Sequence, residues 1–193
     1  MKKIIILALL FITCSCNMTN YVTGNTTQTS GLDFSKGRWL LGDIEVDYEI
    51  KEDLTQLVLT DFSKHLNERL INFSEENTVL LPSKIPLNPN KNAILDLKKG
   101  TKFDYFINIK CDDERNDLSN FNFIEHAYYK KQMTFARLTL QVYDLNLGEM
   151  VYNQTIYGSI DEDSSVTFKP KYKVIMGCYN KIIKSINAKS IKN

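Results

Sequence analysis

One stripe of apolar residues decides most of what this chain can become. Leu54, Leu57, Val58, Phe62, Leu66 and Leu70 recur at helical spacing, while Asp61, Lys64, Asn67 and Glu68 fill the opposite side. The stripe predicts an amphipathic helix from Asp53, with Gln56 as its capping-box partner, to about Phe73. A helix with a single apolar face must bury it against another layer. A second such helix is predicted to open at Pro170, with Ile175, Cys178, Tyr179, Ile182, Ile183 and Ile186 inward.

Outside the helices the apolar period changes to two. Arg38 to Tyr48 predicts a first strand, in which Ile44, Val46 and Tyr48 alternate with Glu45 and Asp47 after a bulge at Gly42. Thr78 to Leu81 reads as a short strand ended by Pro82, and Ala93 to Lys99 as a short helix stopped by Gly100. Phe103 to Cys111 reads as a half-buried strand. Met133 to Tyr143 and Met150 to Ile160 read as paired strands joined at Asp144-Leu145-Asn146-Leu147-Gly148, with Ala136, Leu138, Leu140 and Val142 on one face. Asp112 to Tyr129 and Asp161 to Lys169 read as a polar loop and a polar linker. The order β-α-β-β-β-β-α, with an extra short helix, predicts the α+β class. The expected architecture is a mainly antiparallel mixed sheet with two amphipathic helices packed on one face.

The first residues carry a different message. Lys2 and Lys3 precede an unbroken apolar run, Ile4 to Ile12, and then Thr13-Cys14-Ser15-Cys16. The run is far shorter than the ~20 residues of a membrane-spanning helix and suits a signal peptide. A small residue before a cysteine at this place resembles the lipobox of bacterial lipoproteins. The resemblance implies cleavage of residues 1–15 and acylation of Cys16, with Cys14 as the alternative. Non-acidic Asn17 and Met18 resemble an outer-membrane address, with the protein facing the periplasm. Residues 16–37 then read as the lipidated cysteine and a flexible tether rich in Asn, Thr, Ser and Gly, reaching roughly 25 Å. Residues 38–193 read as a single α+β domain, large enough to fold without staples.

Charge narrows the function classes. Without Lys2 and Lys3, 22 basic residues face 23 acidic ones, a net −1. No counterion-release drive towards nucleic acid follows, nor a polybasic attraction to lipid. The expected membrane partner is reached through the N-terminal lipid alone.

The element order also resembles a superfamily. It includes activator lipoproteins of penicillin-binding proteins, the curli secretion lipoprotein and the N-terminal domain of the Tol-system propeller protein. The likeness spans most of residues 38–187 and centres on the hairpin Val142-Tyr143-Asp144-Leu145-Asn146-Leu147-Gly148-Glu149-Met150-Val151. It implies a non-catalytic, envelope-facing adaptor that binds an envelope protein or cell-wall partner. The alternative is a carrier of a small ligand or lipid.

Residues that could carry chemistry are few. His65 and His126 show no metal-ligand spacing, and Glu125-His126 are adjacent, so no metal, cofactor or catalytic residue is expected. Asp112-Asp113-Glu114 and Asp161-Glu162-Asp163 lack the spacing of a calcium loop. Cys111 and Cys178 either pair as a disulfide or sit as two buried thiols. Phe121, Phe123, Tyr128 and Tyr129 put four aromatics in one loop, which suits partner recognition or a lid over the sheet.

Overall fold

The stripe of the first helix runs through Ile50, Leu54, Val58, Phe62 and Leu66, all buried, and forms α1, Tyr48–Leu66. The computed structural model describes residues 19–27, 31–75, 85–112, 133–161 and 170–190. Helix α1 starts five residues before the predicted Asp53, because Ile50 extends the stripe by one turn. Gln56 donates to Glu52 Oε1 at 3.1 Å instead of closing a capping box. The helix ends at Leu66, where Asn67 takes φ 52°. A single 3-10 turn follows, so Leu70 enters a strand rather than the helix.

Six strands make one mixed sheet in the order β1-β6-β5-β4-β2-β3. They are β1 Asn20–Thr27, β2 Trp39–Leu41, β3 Leu70–Asn72, β4 Tyr105–Asp112, β5 Met133–Asp144 and β6 Glu149–Asp161. Strand β2 runs parallel to both β3 and β4, whereas β4-β5-β6-β1 is antiparallel. The remaining helices are α2, Lys91–Thr101, and α3, Pro170–Lys189. The α+β class holds.

Crossover geometry explains the helix placement. The chain steps outward from β2 to β3 through α1, then back past β2 to β4 through a connection that carries α2. Right-handed crossovers in opposite directions require opposite faces of a sheet. Accordingly α1 and α3 cover one face and α2 the other. Trp39, Leu41, Ile107, Leu138, Leu140 and Val142 pack under α1 and α3. Leu40, Phe106 and Tyr143 pack against Ile94 and Leu97 of α2. The two predicted long helices do share a face, and the short helix lies on the other.

The same geometry shortens the first predicted strand. Strand β2 is buried on both sides, as a parallel strand between helices must be, so it shows an apolar run instead of alternation. Past it the Gly42 N–H bonds the Ile107 carbonyl at 2.9 Å, and Glu45 makes one isolated bridge to Lys110. Gly42 lies beyond the strand rather than in a bulge, and a Cβ there would lie 2.6 Å from the Phe106 ring, so the close approach favours glycine. Helix α2 is longer than Ala93–Lys99. Asn90 caps it by accepting the Ala93 N–H at 2.9 Å, and it passes Gly100 to end at Lys102, φ 61°.

The segment read as a tether is partly structured. Asn20–Thr27 forms β1 and pairs with β6 from Asn20↔Ser159 to Thr27↔Asn153. Leu32 and Phe34 are buried in the core, Phe34 against Phe62 and His65 of α1. An edge strand faces water on most sides and can be built from Thr and Asn, which hides it in a composition reading. The predicted strand Thr78–Leu81 lies outside the described residues.

Candidate functional site

Sheet register gives the domain two distinct ends. Strand β1 starts, β4 and β6 finish, and α1 and α3 begin at one of them. An ion pair between Lys171 and Asp47 joins the two helix starts there. At the other end lies the β5–β6 hairpin. Large exposed apolar side chains divide between the ends: Val22 and Tyr48 towards the first, Leu147 and Met150 at the second.

Turn chemistry sets the hairpin end. The Asp144 carboxylate accepts the Asn146 and Leu147 N–H groups at 2.8 and 3.0 Å. Gly148 takes φ 67°, a conformation that favours glycine. Leu145 points in and is fully buried, and Leu147 points out, 57% exposed. The Asp and Gly of the hairpin therefore do structural work. Asp104 fixes the base of the hairpin. It accepts from Lys98 Nζ at 2.7 Å, the Arg38 N–H at 2.9 Å and Asn146 Nδ2 at 3.3 Å. The Lys98 contact, then the Arg38 amide, hold its carboxyl below the ordinary carboxylate range.

The α2 side of β4, β5 and β6 carries polar rows where an apolar face would be the simpler design. Register aligns Asn108, Gln141 and Asn153, then Lys110, Thr139 and Thr155, then Asp112, Arg137 and Tyr157. The first row pins the chain at 85–90 to the sheet. Gln141 Nε2 donates to Asn88 Oδ1 at 2.9 Å and Asn153 Oδ1 at 3.2 Å, while Gln141 Oε1 accepts the Asn88 N–H at 3.1 Å. Asn108 Nδ2 donates to the carbonyls of Ile85 and Pro86. Thr139 and Thr155 share a hydrogen bond of 2.9 Å, and Arg137 pairs with Asp112 at 2.9 Å. These groups satisfy one another, so the rows act as a fastening between loop and sheet.

The residues singled out in the sequence fare differently. Cys111 and Cys178 form no disulfide. Cys111 is on β4, opposite Leu138, whereas Cys178 sits on α3, which lies across β5 and β6. Burial pushes the Cys178 thiol up to about 12, far from a reactive thiolate. His65 stacks on Phe34 at 4.7 Å and its Nε2 meets Asn187 Oδ1 at 2.9 Å, a role in packing. Burial likewise raises the Tyr143, Tyr152 and Tyr179 hydroxyls, which keeps them neutral. Asp112 is the one described side chain of the acidic clusters, and it is paired. Cys14, Cys16, Phe121, Phe123, His126, Tyr128 and Tyr129 lie outside the described residues.

Sequence reasoning missed the surface at the end where β1, α1 and α3 begin. The signals were Tyr21-Val22-Thr23, a short run of strand formers, and Tyr48, an aromatic at the first position of a helix. Among the described residues no three His, Cys, Asp or Glu side chains group as a metal site. Among the same residues no helix is long and apolar enough to cross a membrane.

No protein-family model matches this chain, and no curated protein does. Several solved structures are similar to it. The PelC dodecamer from Paraburkholderia phytofirmans aligns over 91% of this chain and 100% of its own, with a TM-score of 0.48 and 8% identity. Lipoprotein GNA1162 from Neisseria meningitidis aligns over 78% of this chain and 99% of its own, with a TM-score of 0.44 and 10% identity. The hypothetical protein CT253 from Chlamydia trachomatis aligns over 80% and 95%, with a TM-score of 0.42 and 9% identity.

Proposed function

We propose that this chain is a lipid-anchored adaptor of the bacterial cell envelope. Cys16 holds it to the outer membrane, and the domain binds an envelope protein or cell-wall partner rather than catalysing a reaction. The observation that carries the reading is the leader: a basic pair, nine apolar residues, and a cysteine preceded by a small residue. The domain adds support. Its histidine at 65 and its thiol at 178 are taken up by packing. Its hairpin exposes Leu147 on the turn and Met150 at the start of β6, the arrangement a partner-binding protrusion needs.

Two measurements test the reading. Cells grown with a clickable fatty acid should label the wild-type protein and the Cys14→Ala variant, and leave Cys16→Ala unlabelled. A photo-crosslinking residue in place of Leu147 should give one discrete adduct in intact cells. Wild-type protein that takes no label, remains soluble and keeps Met1 rules out the anchor. A labelled protein without a position-specific adduct rules out the hairpin as the binding element.

A further inference from the structure

We infer that the anchor-side end of the domain rests directly on the bilayer, with Tyr48 in the headgroup layer. The inference builds on acylation of Cys16, the reading proposed above. Only Asn17, Met18 and Thr19 separate Cys16 from Asn20, the first residue of β1. Four Cα steps span at most ~14 Å. Even from Cys14 the limit is ~22 Å. The ~25 Å average reach of a 20-residue coil is therefore not available, because most of that coil is strand and core.

The short leash cannot be lengthened cheaply. Asn20 pairs with Ser159, and Tyr21 next to it seats its ring over Gly177 of α3, its hydroxyl 3.4 Å from the Lys173 carbonyl. Gaining slack means stripping β1 from β6. The lipid therefore leaves the domain at the end where α1 and α3 begin.

That end carries a feature the fold does not use. Tyr48, the first residue of α1, is 91% exposed, and Val22 on β1 is 51% exposed. A tyrosine standing clear of the surface at the same end of the domain as a lipid anchor has the chemistry of the aromatic belts at membrane interfaces, an apolar ring with a polar tip. Charge does not drive the contact, since Asp47, Glu49, Glu52 and Asp53 flank Tyr48 as exposed carboxylates. Lys51 pairs with Asp43 at 2.6 Å, Lys171 with Asp47, Lys110 with Glu45 at 3.8 Å, and Arg137 with Asp112 at 2.9 Å. With its cations largely matched by carboxylates, this end is held at the bilayer by the leash and the ring, not by attraction to anionic lipid. The leash alone supplies a high effective concentration of surface for surface.

The test uses full-length, membrane-extracted protein reconstituted in vesicles of phosphatidylethanolamine and phosphatidylglycerol, with or without brominated acyl chains. Tyr48→Trp reports the anchor-side end and Leu147→Trp the hairpin end; Trp39 is fully buried and gives a constant background. Bromolipid should quench Tyr48→Trp at least about twofold more than Leu147→Trp. The difference should persist from ~0.1 to ~0.5 M salt, which screens charge. Inserting about 20 Gly and Ser residues after Met18 should bring the two reporters together. Equal quenching of both reporters, with mass spectrometry showing lipid on the cysteine, overturns the docking and leaves the anchor standing. Protein without lipid overturns both.

Discussion

Replacing Gly177 by alanine should change sign with its surroundings. The glycine lies inside α3, where alanine is worth ~1 kcal/mol more than glycine on propensity alone. A Cβ built there would fall 1.7 Å from the Tyr21 hydroxyl oxygen and 2.3 Å from Cζ. Tyr21 must leave its seat. Its ring is half-buried, so about 100 Å² of apolar contact is lost, or ~2.5 kcal/mol. Gly177→Ala should thus destabilise the wild-type domain by ~1.5 kcal/mol, the loss less the propensity gain. With Tyr21→Ala already in place there is nothing to displace, and the same substitution should stabilise by ~1 kcal/mol. The coupling between the sites is then ~2.5 kcal/mol. Urea unfolding of a soluble chain starting at Asn17, followed by the fluorescence of buried Trp39, measures all four corners of the cycle. Gly177→Ala acting in the same direction and by the same amount in both backgrounds would refute the seating of Tyr21, and with it the fixed start of β1.

Three further outcomes follow from the described contacts. Asp104 is held ionised below its ordinary pKa of 3.8, so its stabilisation is full above pH ~4 and disappears as pH falls through the folded value. Asp104→Asn should cost ~1–2 kcal/mol at pH 7, and its gap from wild type should close in acid; a gap that ignores pH speaks against the Lys98 and Arg38 contacts. Cys178, buried with its thiol raised to about 12, should resist iodoacetamide in the native protein and react once urea is added; fast native alkylation would contradict its burial. Gln141→Leu removes the partner of the Asn88 side chain and one of the two acceptors of its N–H, leaving the Tyr143 hydroxyl at 3.1 Å, at a cost of ~1–2 kcal/mol; it should speed hydrogen exchange at the Asn88 amide, and unchanged exchange would mean that Gln141 does not hold that segment.

Period and turn chemistry made the larger elements legible. Helix α3 begins at Pro170, and every predicted inward residue from Ile175 to Ile186 is buried. Strands β5 and β6 run within a residue of the expected limits, because Asp144 and Gly148 fix the turn between them. The failures have separate causes. Burial on two faces removed the alternation of β2, so Trp39-Leu40-Leu41 blended into the polar residues that follow. Exposure did the opposite to β1, whose Thr and Asn residues match a loop in composition and differ from one only by pairing with β6. Asn67 ended α1 early by a positive φ that no apolar pattern encodes. The site was less legible than the fold, since residue types point to reactive groups whereas here His65 packs on Phe34 and Cys178 belongs to the core. Tyr48 gains meaning only once register sets the starts of α1 and β1 at the same end of the domain.

That register also fixes how far the hairpin stands from the anchor. Strand β6 has 13 residues and joins the two ends of the domain. At ~3.3 Å per residue it spans about 40 Å, more than the domain could gain from its leash. The chain needs no tether to reach outward, because the sheet is its own spacer. A protein of this shape, docked through Tyr48, would present Leu147 and Met150 at a set distance from the bilayer and in one orientation. A flexible stalk would instead sweep a volume and accept partners at many heights. Inserting about 20 Gly and Ser residues after Met18 therefore separates the two designs in cells as well as in vesicles. A Leu147 crosslink that survives the insertion means a partner that follows the domain, and one that is lost means a partner fixed ~40 Å from the membrane.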